Sequence, residues 1–208
     1  MSKLGDDGEE EIHLKQKGLI HQVITALGLD KENSNTGIRI PALNAPLPQD
    51  KDGELHDLGF NCASVLAWMA MYLCKNNSRP ELAFAVHQCA WHSFNPTRKH
   101  AESLKRIGIY LISTRHQGII IKCNQDHSIL DIKCFMDADF AGMFIHEDNK
   151  NDLHCVRLST GYVIMMGGSP IVWKRNLPPI ITSSTMESEY IALSTTCNEL
   201  IPLNGNFA

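Results

Sequence analysis

Four carboxylates in two short stretches are the side chains of this sequence best suited to chemistry. Asp137 and Asp139 end the apolar stretch "CFMDADFAG", and Glu187 and Glu189 stand in "STMESEY". Carboxylate oxygens are the hard ligands that Mg²⁺ prefers in proteins. One interpretation is therefore a divalent metal centre. The alternative is that the aspartates are the solvated end of an ordinary strand.

The elements that must position these acids follow from a change of hydrophobic period after Gly118. Residues 60–114 contain three stretches of helical character, and two of them open with a proline, Pro80 and Pro96, a residue favoured in the first turn of a helix. Downstream, "GIIIKCN" and "SILDIKCFMD" are strand-like, and a glycine pair suited to a tight hairpin joins "STGYVIMM" to "SPIVWKR". The sequence predicts a helical block followed by antiparallel strands.

The last predicted helix distinguishes between its two glutamates. Ser184 and Glu187 have the spacing of a capping box, which gives Glu187 a structural role. Glu189 lies about 200° around the helix from Glu187, beside an apolar stripe predicted to pack on the sheet: Tyr190, Leu193, Cys197 and Leu200. A carboxylate at the rim of a buried face is costly unless it is paired or binds a cation. Glu189 is therefore the candidate ligand, and the alternative is that it simply reaches water.

Composition limits the classes of function. Hydrophobic residues make up 43% and charged residues 20% of 208 residues, as in a soluble globular protein. A net charge of −4 excludes nucleic-acid binding by bulk electrostatics, so any such contact needs a local patch. Lys174 and Arg175 are the candidates for contact with a phosphate backbone, and the alternative is a solvated strand end.

Cysteine usage and the N-terminus indicate an intracellular protein, cytoplasmic or nuclear. The seven cysteines form no CxxC pair and the ten histidines are dispersed, which argues against a zinc site or a disulfide framework. The start, "MSKLGDDGEEEIHLK", is polar and acidic, unlike a targeting signal. The longest apolar stretch, "CASVLAWMAMYLC", is shorter than the roughly 20 residues that a membrane span needs, so no membrane partner is expected.

Three motifs in order carry a resemblance to a known family. "MDADFAG", then "STGYVIMMGGSPIVWKR", then "STMESEYIALS" followed by "ELIPL", resemble the ribonuclease H region of copia-type LTR retrotransposon polyproteins. Upstream, "SRPELAFAVHQCAWHSFNPTRKHAESLKRIGIYL" resembles the segment that connects reverse transcriptase to ribonuclease H in the same polyproteins. The likeness is collinear over roughly residues 10–203.

This resemblance completes the predicted domain organisation and the α+β fold class. We expect a weakly structured segment over residues 1–57 and a helical, reverse transcriptase connection-like segment over 58–116. An incomplete ribonuclease H-like domain of three antiparallel strands and one helix should then cover 117–203, before a tail at 204–208.

The resemblance also implies a chemistry. Ribonuclease H hydrolyses the RNA strand of an RNA–DNA hybrid with two divalent metals held by four carboxylates, so Mg²⁺ is the implied cofactor and the hybrid the implied partner. By resemblance Asp137 is the first acid and Glu189 the second. Asp139 has the same strand parity as Asp137, so alternation alone does not choose between them.

Departures from the family pattern lead to an expectation of impaired activity. The family carries its third acid on a fourth strand beyond the helix and its fourth acid later still, whereas this sequence stops at "NGNFA". We therefore expect hybrid hydrolysis by this chain alone to be lost or reduced to a trace, which leaves its status as an enzyme open. The alternative is a non-catalytic or domesticated remnant that only packs or binds nucleic acid. Without a fourth strand, residues 129–137 should be an exposed edge that favours self-association.

Overall fold

The structure, a computed structural model, describes residues 2–4, 10–30, 38–42, 47, 61–74, 78–122, 131–139, 159–176 and 184–205. Within these ranges the helices are α1 Lys17–Ala26, α2 Cys62–Trp68, α3 Ala83–Trp91, α4 Arg98–Ser113 and α5 Thr185–Gly205. The strands are β1 Ser2–Leu4, β2 Glu10–Leu14, β3 Ile119–Lys122, β4 Ile132–Asp139, β5 Ser159–Met166 and β6 Ser169–Asn176. The predicted α+β class is confirmed.

The chain divides into two compact units. The helical unit comprises His13–Ile119, and the sheet unit combines Ser2–Ile12 with Ile120–Ala208. The strands form two three-stranded sheets, in the orders β1-β2-β3 and β4-β5-β6. None of the described helices combines the length and the apolar character that crossing a bilayer requires.

The helical unit buries a core contributed by α1 to α4. Its most deeply buried side chains include Ile20, Val23, Leu73, Leu104 and Leu111. The three helices predicted in residues 60–114 are present, although α2 continues as a π-helical turn, Met69–Cys74, and a 3₁₀ turn, Pro80–Leu82, leads into α3. Pro80 opens that turn because it has no N–H that would need a partner there.

The N-terminal segment has more structure than the sequence suggested. Within residues 1–57, which were expected to be weakly structured, Glu10–Leu14 is a strand that pairs antiparallel with β1, and helix α1 begins at Lys17. Three side chains of α1 enter the core of the helical unit, namely Ile20, Val23 and Ile24. This burial orders a segment whose sequence reads as weakly organised.

The second sheet is the meander predicted from the glycine hairpin. Strand β4 pairs antiparallel with β5, and β5 pairs antiparallel with β6. Gly167 and Gly168 join β5 to β6 with φ values of 55° and 77°, a conformation that favours glycine at both positions of a tight turn. Residues 140–158 and 177–183 lie outside the described residues.

Helix α5 follows the third strand as predicted and packs on β4 and β5. Its start is capped, since the backbone N–H of Glu187 donates to Ser184 Oγ over 3.2 Å. The predicted packing stripe is wrong at two of its four residues, because Tyr190 is 66% exposed and Leu193 is 40% exposed, whereas Cys197 and Leu200 are half-buried. The buried side chains of α5 are instead small, at four-residue spacing: Ser188, Ala192 and Thr196.

A candidate metal centre on strand β4

Strand β4 holds both candidate aspartates on one face of the meander. Asp137 is paired with Gly161 and Asp139 with Ser159 on β5, and residues two apart on a strand point to the same side. The Asp137 side chain is exposed and that of Asp139 is half-buried. The carboxylates of Asp137 and Asp139 therefore lie on one sheet face, two residues apart, which is about 6.6 Å along the strand.

Arg175 completes a row of residues across the three strands. Gly161 faces Asp137 on one side and Arg175 on the other. Directly opposed residues share a sheet face, so Arg175 lies on the face of the two aspartates. Burial lowers the pKa of the Arg175 guanidinium, and the charges of Asp139 and Asp137 oppose that lowering. The structure thus brings a half-buried cation to both carboxylates.

The oxygens at this position suit a hard cation. Ser159 is the cross-strand partner of Asp139 and shares the sheet face of both aspartates, and its Oγ is buried and makes no hydrogen bond within the described residues. An unsatisfied buried hydroxyl is uncommon and calls for an explanation, and hydroxyl and carboxylate oxygens are both magnesium-type donors. Among the described residues, no group of three or more His, Cys, Asp or Glu side chains is arranged to hold a metal.

Glu189 occupies a different part of the sheet unit. It is exposed on α5, next to the buried Ser188. Helix α5 covers the sheet face that carries Tyr162, because Glu199 of α5 contacts that side chain. Asp137 has the opposite parity to Met136, the partner of Tyr162, so it belongs to the other face. No described contact joins Asp137 to Glu189, and a metal shared by these two acids stays a prediction.

The two candidate phosphate contacts point to opposite faces of β6. Lys174 shares the face of Tyr162 and lies 3.3 Å from Glu199, whereas Arg175 shares the face of Asp137. Consecutive strand residues alternate in this way. A single phosphate backbone therefore cannot use the two side chains as one patch on this sheet, and their role in nucleic-acid binding stays a prediction.

Tyr162 connects the meander to helix α5. Its buried hydroxyl donates to the Glu199 carboxylate, and burial together with the charge of Glu199 raises the pKa of Tyr162 to about 12. We expect Tyr162→Phe to lower the unfolding free energy by about 1 kcal/mol near neutral pH, the usual contribution of one hydrogen bond. Urea unfolding followed by circular dichroism measures this loss.

The raised pKa also fixes the pH dependence of this bond. Its stabilisation is fully present below the pKa of an unfolded tyrosine, about 10, and is lost as the pH rises toward 12. Tyr162→Phe should therefore remove part of the alkaline loss of stability. The matched control is Tyr190→Phe, which changes an exposed ring of α5. It should leave both the unfolding free energy near neutral pH and its loss at alkaline pH unchanged. Equal effects of the two substitutions would contradict this assignment.

Sequence reasoning missed three members of this site. Arg175 was considered only as a phosphate contact, and neither Gly161 nor Ser159 was considered at all. The strand register of the structure places Gly161 between Asp137 and Arg175, and a bulge in β6 hides this pairing from the sequence. A glycine between two charged positions is informative, because the missing side chain lets those charges approach each other.

Comparison with known proteins gives the chain's relatives. It is 32% identical over 124 residues to the retrovirus-related Pol polyprotein from transposon RE1 of Arabidopsis thaliana, a match that covers 59% of this chain. It is 30% identical over 123 residues to the corresponding polyprotein from transposon RE2 of the same plant. It is also 34% identical over 124 residues to that from transposon TNT 1-94 of Nicotiana tabacum.

These matches are limited in extent. The matched region amounts to 8% of the length of each of these three polyproteins. No family model matches the chain, and no solved structure matches it significantly. Over about 60% of its length, the chain is a homologue of the retrovirus-related Pol polyproteins of plant transposons.

Proposed function

We propose that residues 117–203, which hold the meander β4-β5-β6 and most of helix α5, are a ribonuclease H-like module of copia-type descent, directed at the RNA strand of an RNA–DNA hybrid during reverse transcription. The observation that carries the proposal is the order of elements: three antiparallel strands, then a helix, with Asp137 near the end of the first strand and Glu189 in the first turns of the helix. Residues 58–116, which lie within the helical unit, are proposed to be the reverse transcriptase connection. Homology to Pol polyproteins supports both assignments.

Mg²⁺ is the proposed cofactor, and the donors suit it because they are hard oxygens. By resemblance Asp137 and Glu189 would supply carboxylates, although helix α5, which carries Glu189, covers the sheet face opposite Asp137. Asp139 and Ser159 extend the oxygen set on the face of Asp137. When bound, divalent metals supply an activated water and stabilise a leaving oxygen in hydrolysis. In this chain Arg175 lies on the same face as the aspartates, and its charge opposes cation binding. We therefore propose that hydrolysis by this chain alone is lost or reduced to a trace.

Iron-directed cleavage of the protein backbone tests the metal site. Fe²⁺ bound in place of Mg²⁺ reacts with added hydrogen peroxide to give hydroxyl radicals that cut nearby peptide bonds, and ascorbate returns the Fe³⁺ formed to Fe²⁺. We expect cuts near Asp137, and near Glu189 if the two acids share the ion, with protection by excess Mg²⁺. Asp137→Asn should remove the cuts because it removes a charged ligand.

The matched control is Asp131→Asn, which precedes the same strand and whose carboxylate pairs with Lys133 at 2.9 Å. Its cleavage pattern should equal that of the wild type. The proposed metal site would be refuted if the wild type showed no cuts near Asp137, or if these cuts persisted in Asp137→Asn. A labelled RNA–DNA hybrid assay then separates the alternatives: turnover abolished by Asp137→Asn indicates a working nuclease, and salt-dependent binding without turnover indicates a binding remnant.

Self-association through residues 129–137 is also proposed. In the described residues β4 has β5 as its one neighbour, and Phe135 on β4 is 60% exposed. A strand edge with exposed apolar side chains is a template for pairing with another chain. Residues 129 and 130 lie outside the described residues.

A further inference from the structure

The row that joins Asp137, Gly161 and Arg175 crosses all three strands of the meander. Its outer members are two strand spacings apart, about 9.6 Å at the backbone. Gly161 contributes no side chain between them, and an added Cβ there would meet no atom closer than 3.9 Å. The space above Gly161 is therefore open to a long side chain from β6.

Arg175 is suited to this space. Its planar guanidinium carries several donors on a long side chain and keeps its charge under all ordinary conditions. It is half-buried, so its charge is costly to leave without anions nearby. Among the described residues, Asp137 and Asp139 of β4 are anions on its face, and both act electrostatically on the guanidinium.

We propose that Arg175 is the resident counter-cation of Asp137 and Asp139, and that a divalent cation binds these carboxylates only by displacing the guanidinium. The second half of this inference rests on the proposed function, which makes a divalent metal the ligand. The negative charge of the two aspartates can be neutralised by the guanidinium or by a divalent cation. A divalent cation that arrives while the guanidinium is in place is repelled by its positive charge. Arg175 thus sets the affinity of the site for metal.

A double-mutant cycle tests the pairing without any metal. Thermal melts in a chelator are compared for the wild type, Asp137→Asn, Arg175→Gln and the double variant. If the two side chains pair, Arg175→Gln should lower the melting temperature less when Asp137 is already neutral. Additive effects of the two substitutions would overturn the pairing.

Mn²⁺ affinity, measured by electron paramagnetic resonance, tests the displacement. Arg175→Gln should bind Mn²⁺ at least about fivefold more tightly than the wild type, the lower end of typical coupling between sites. Arg175→Lys keeps the charge, so its Mn²⁺ affinity should stay closer to that of the wild type. It is also the variant to compare with the wild type if Arg175→Gln folds poorly. Unchanged or weaker Mn²⁺ affinity in Arg175→Gln, or no Mn²⁺ binding by any variant, would overturn the displacement.

Lys133→Gln is the matched control for the loss of one positive charge. Lys133 lies on the same strand and face as Asp137, is exposed, and pairs with Asp131. It is four residues from Asp137, about 13 Å along the strand, which exceeds the Debye length of about 8 Å at physiological salt. Its Mn²⁺ affinity should equal that of the wild type. A fivefold gain in this control would overturn a specific role for Arg175.

These experiments distinguish a failure of the counter-cation role of Arg175 from a failure of the proposed function. Tighter Mn²⁺ binding by Arg175→Gln without hybrid cleavage by any variant supports the counter-cation and counts against the nuclease. An additive cycle combined with Asp137-dependent iron cutting in the wild type overturns the counter-cation and leaves the proposed metal site standing.

Discussion

Arg79→Met should lower the unfolding free energy of the helical unit by about 3 kcal/mol. Arg79 is 1% exposed and donates to the backbone oxygen of Thr114 over 3.1 Å and to its hydroxyl over 2.7 Å. The guanidinium also pairs with Glu81 and lies 5.5 Å from the centre of the Tyr110 ring. Hydrogen bonds that involve a charged group contribute about 1.5–3 kcal/mol each, and methionine replaces only the apolar stem.

Urea unfolding followed by far-ultraviolet circular dichroism measures this loss, with Arg98→Met as the matched control. Arg98 is exposed on α4 and pairs with Glu102 over 3.2 Å. Exposed pairs at this helical spacing contribute about 0.3–0.5 kcal/mol, so the control should change little. If both substitutions cost the same, the buried network around Arg79 does not stabilise the helical unit.

Gly118→Ala should be the second severe substitution, at about 2–3 kcal/mol. A Cβ at Gly118 would lie far inside the van der Waals radius of the Leu14 backbone oxygen and 3.0 Å from Cγ of Lys15. A backbone atom cannot move aside as a side chain can, so the strand ends at Leu14 and Ile119 would have to separate. Overpacking of this kind typically costs 1–3 kcal/mol.

Gly18→Ala provides the control for Gly118→Ala. Gly18 lies in the first turn of α1, and an added Cβ there would meet nothing within 4 Å. Alanine favours the helix over glycine by up to about 1 kcal/mol, so this variant should be slightly more stable than the wild type. Equal melting temperatures for the two variants, measured by circular dichroism, would contradict the close approach at Gly118.

The meander and its helix were predictable because local signals specify them. The glycine pair at 167–168 fixes the hairpin, and Ser184 caps the start of the helix. The register in which β5 pairs with β6 was harder to predict from the sequence. Counting back from the two-residue turn pairs Gly161 with Lys174, but a shift between Ile164 and Met165 moves the pairing to Arg175. One extra residue on β6 exchanges which cation faces Asp137, and no local pattern announces such a bulge.

The packing face of α5 was mispredicted for a different reason. Sequence reasoning selected the large apolar side chains, whereas Ser188 and Thr196 are the ones that are buried. Their hydroxyls are satisfied inside the helix: Ser188 Oγ donates to the Ser184 carbonyl over 3.0 Å, and Thr196 Oγ1 donates to the Ala192 carbonyl over 2.7 Å. A hydroxyl that bonds its own helix can face a sheet at little cost, and hydrophobicity alone does not reveal this.

The division of the chain has a consequence for its biosynthesis. The helical unit is continuous in sequence, whereas the sheet unit is split between Ser2–Ile12 and the residues after Ile119. At translation rates of 5–20 residues per second, the first piece waits on the order of ten seconds for its partners to leave the ribosome. Cotranslational folding should therefore begin with the helices, while β1 and β2 remain available to chaperones until β3 emerges. Deletion of Ser2–Ile12 would therefore remove part of the later-folding unit, although these residues precede the helical unit in the sequence.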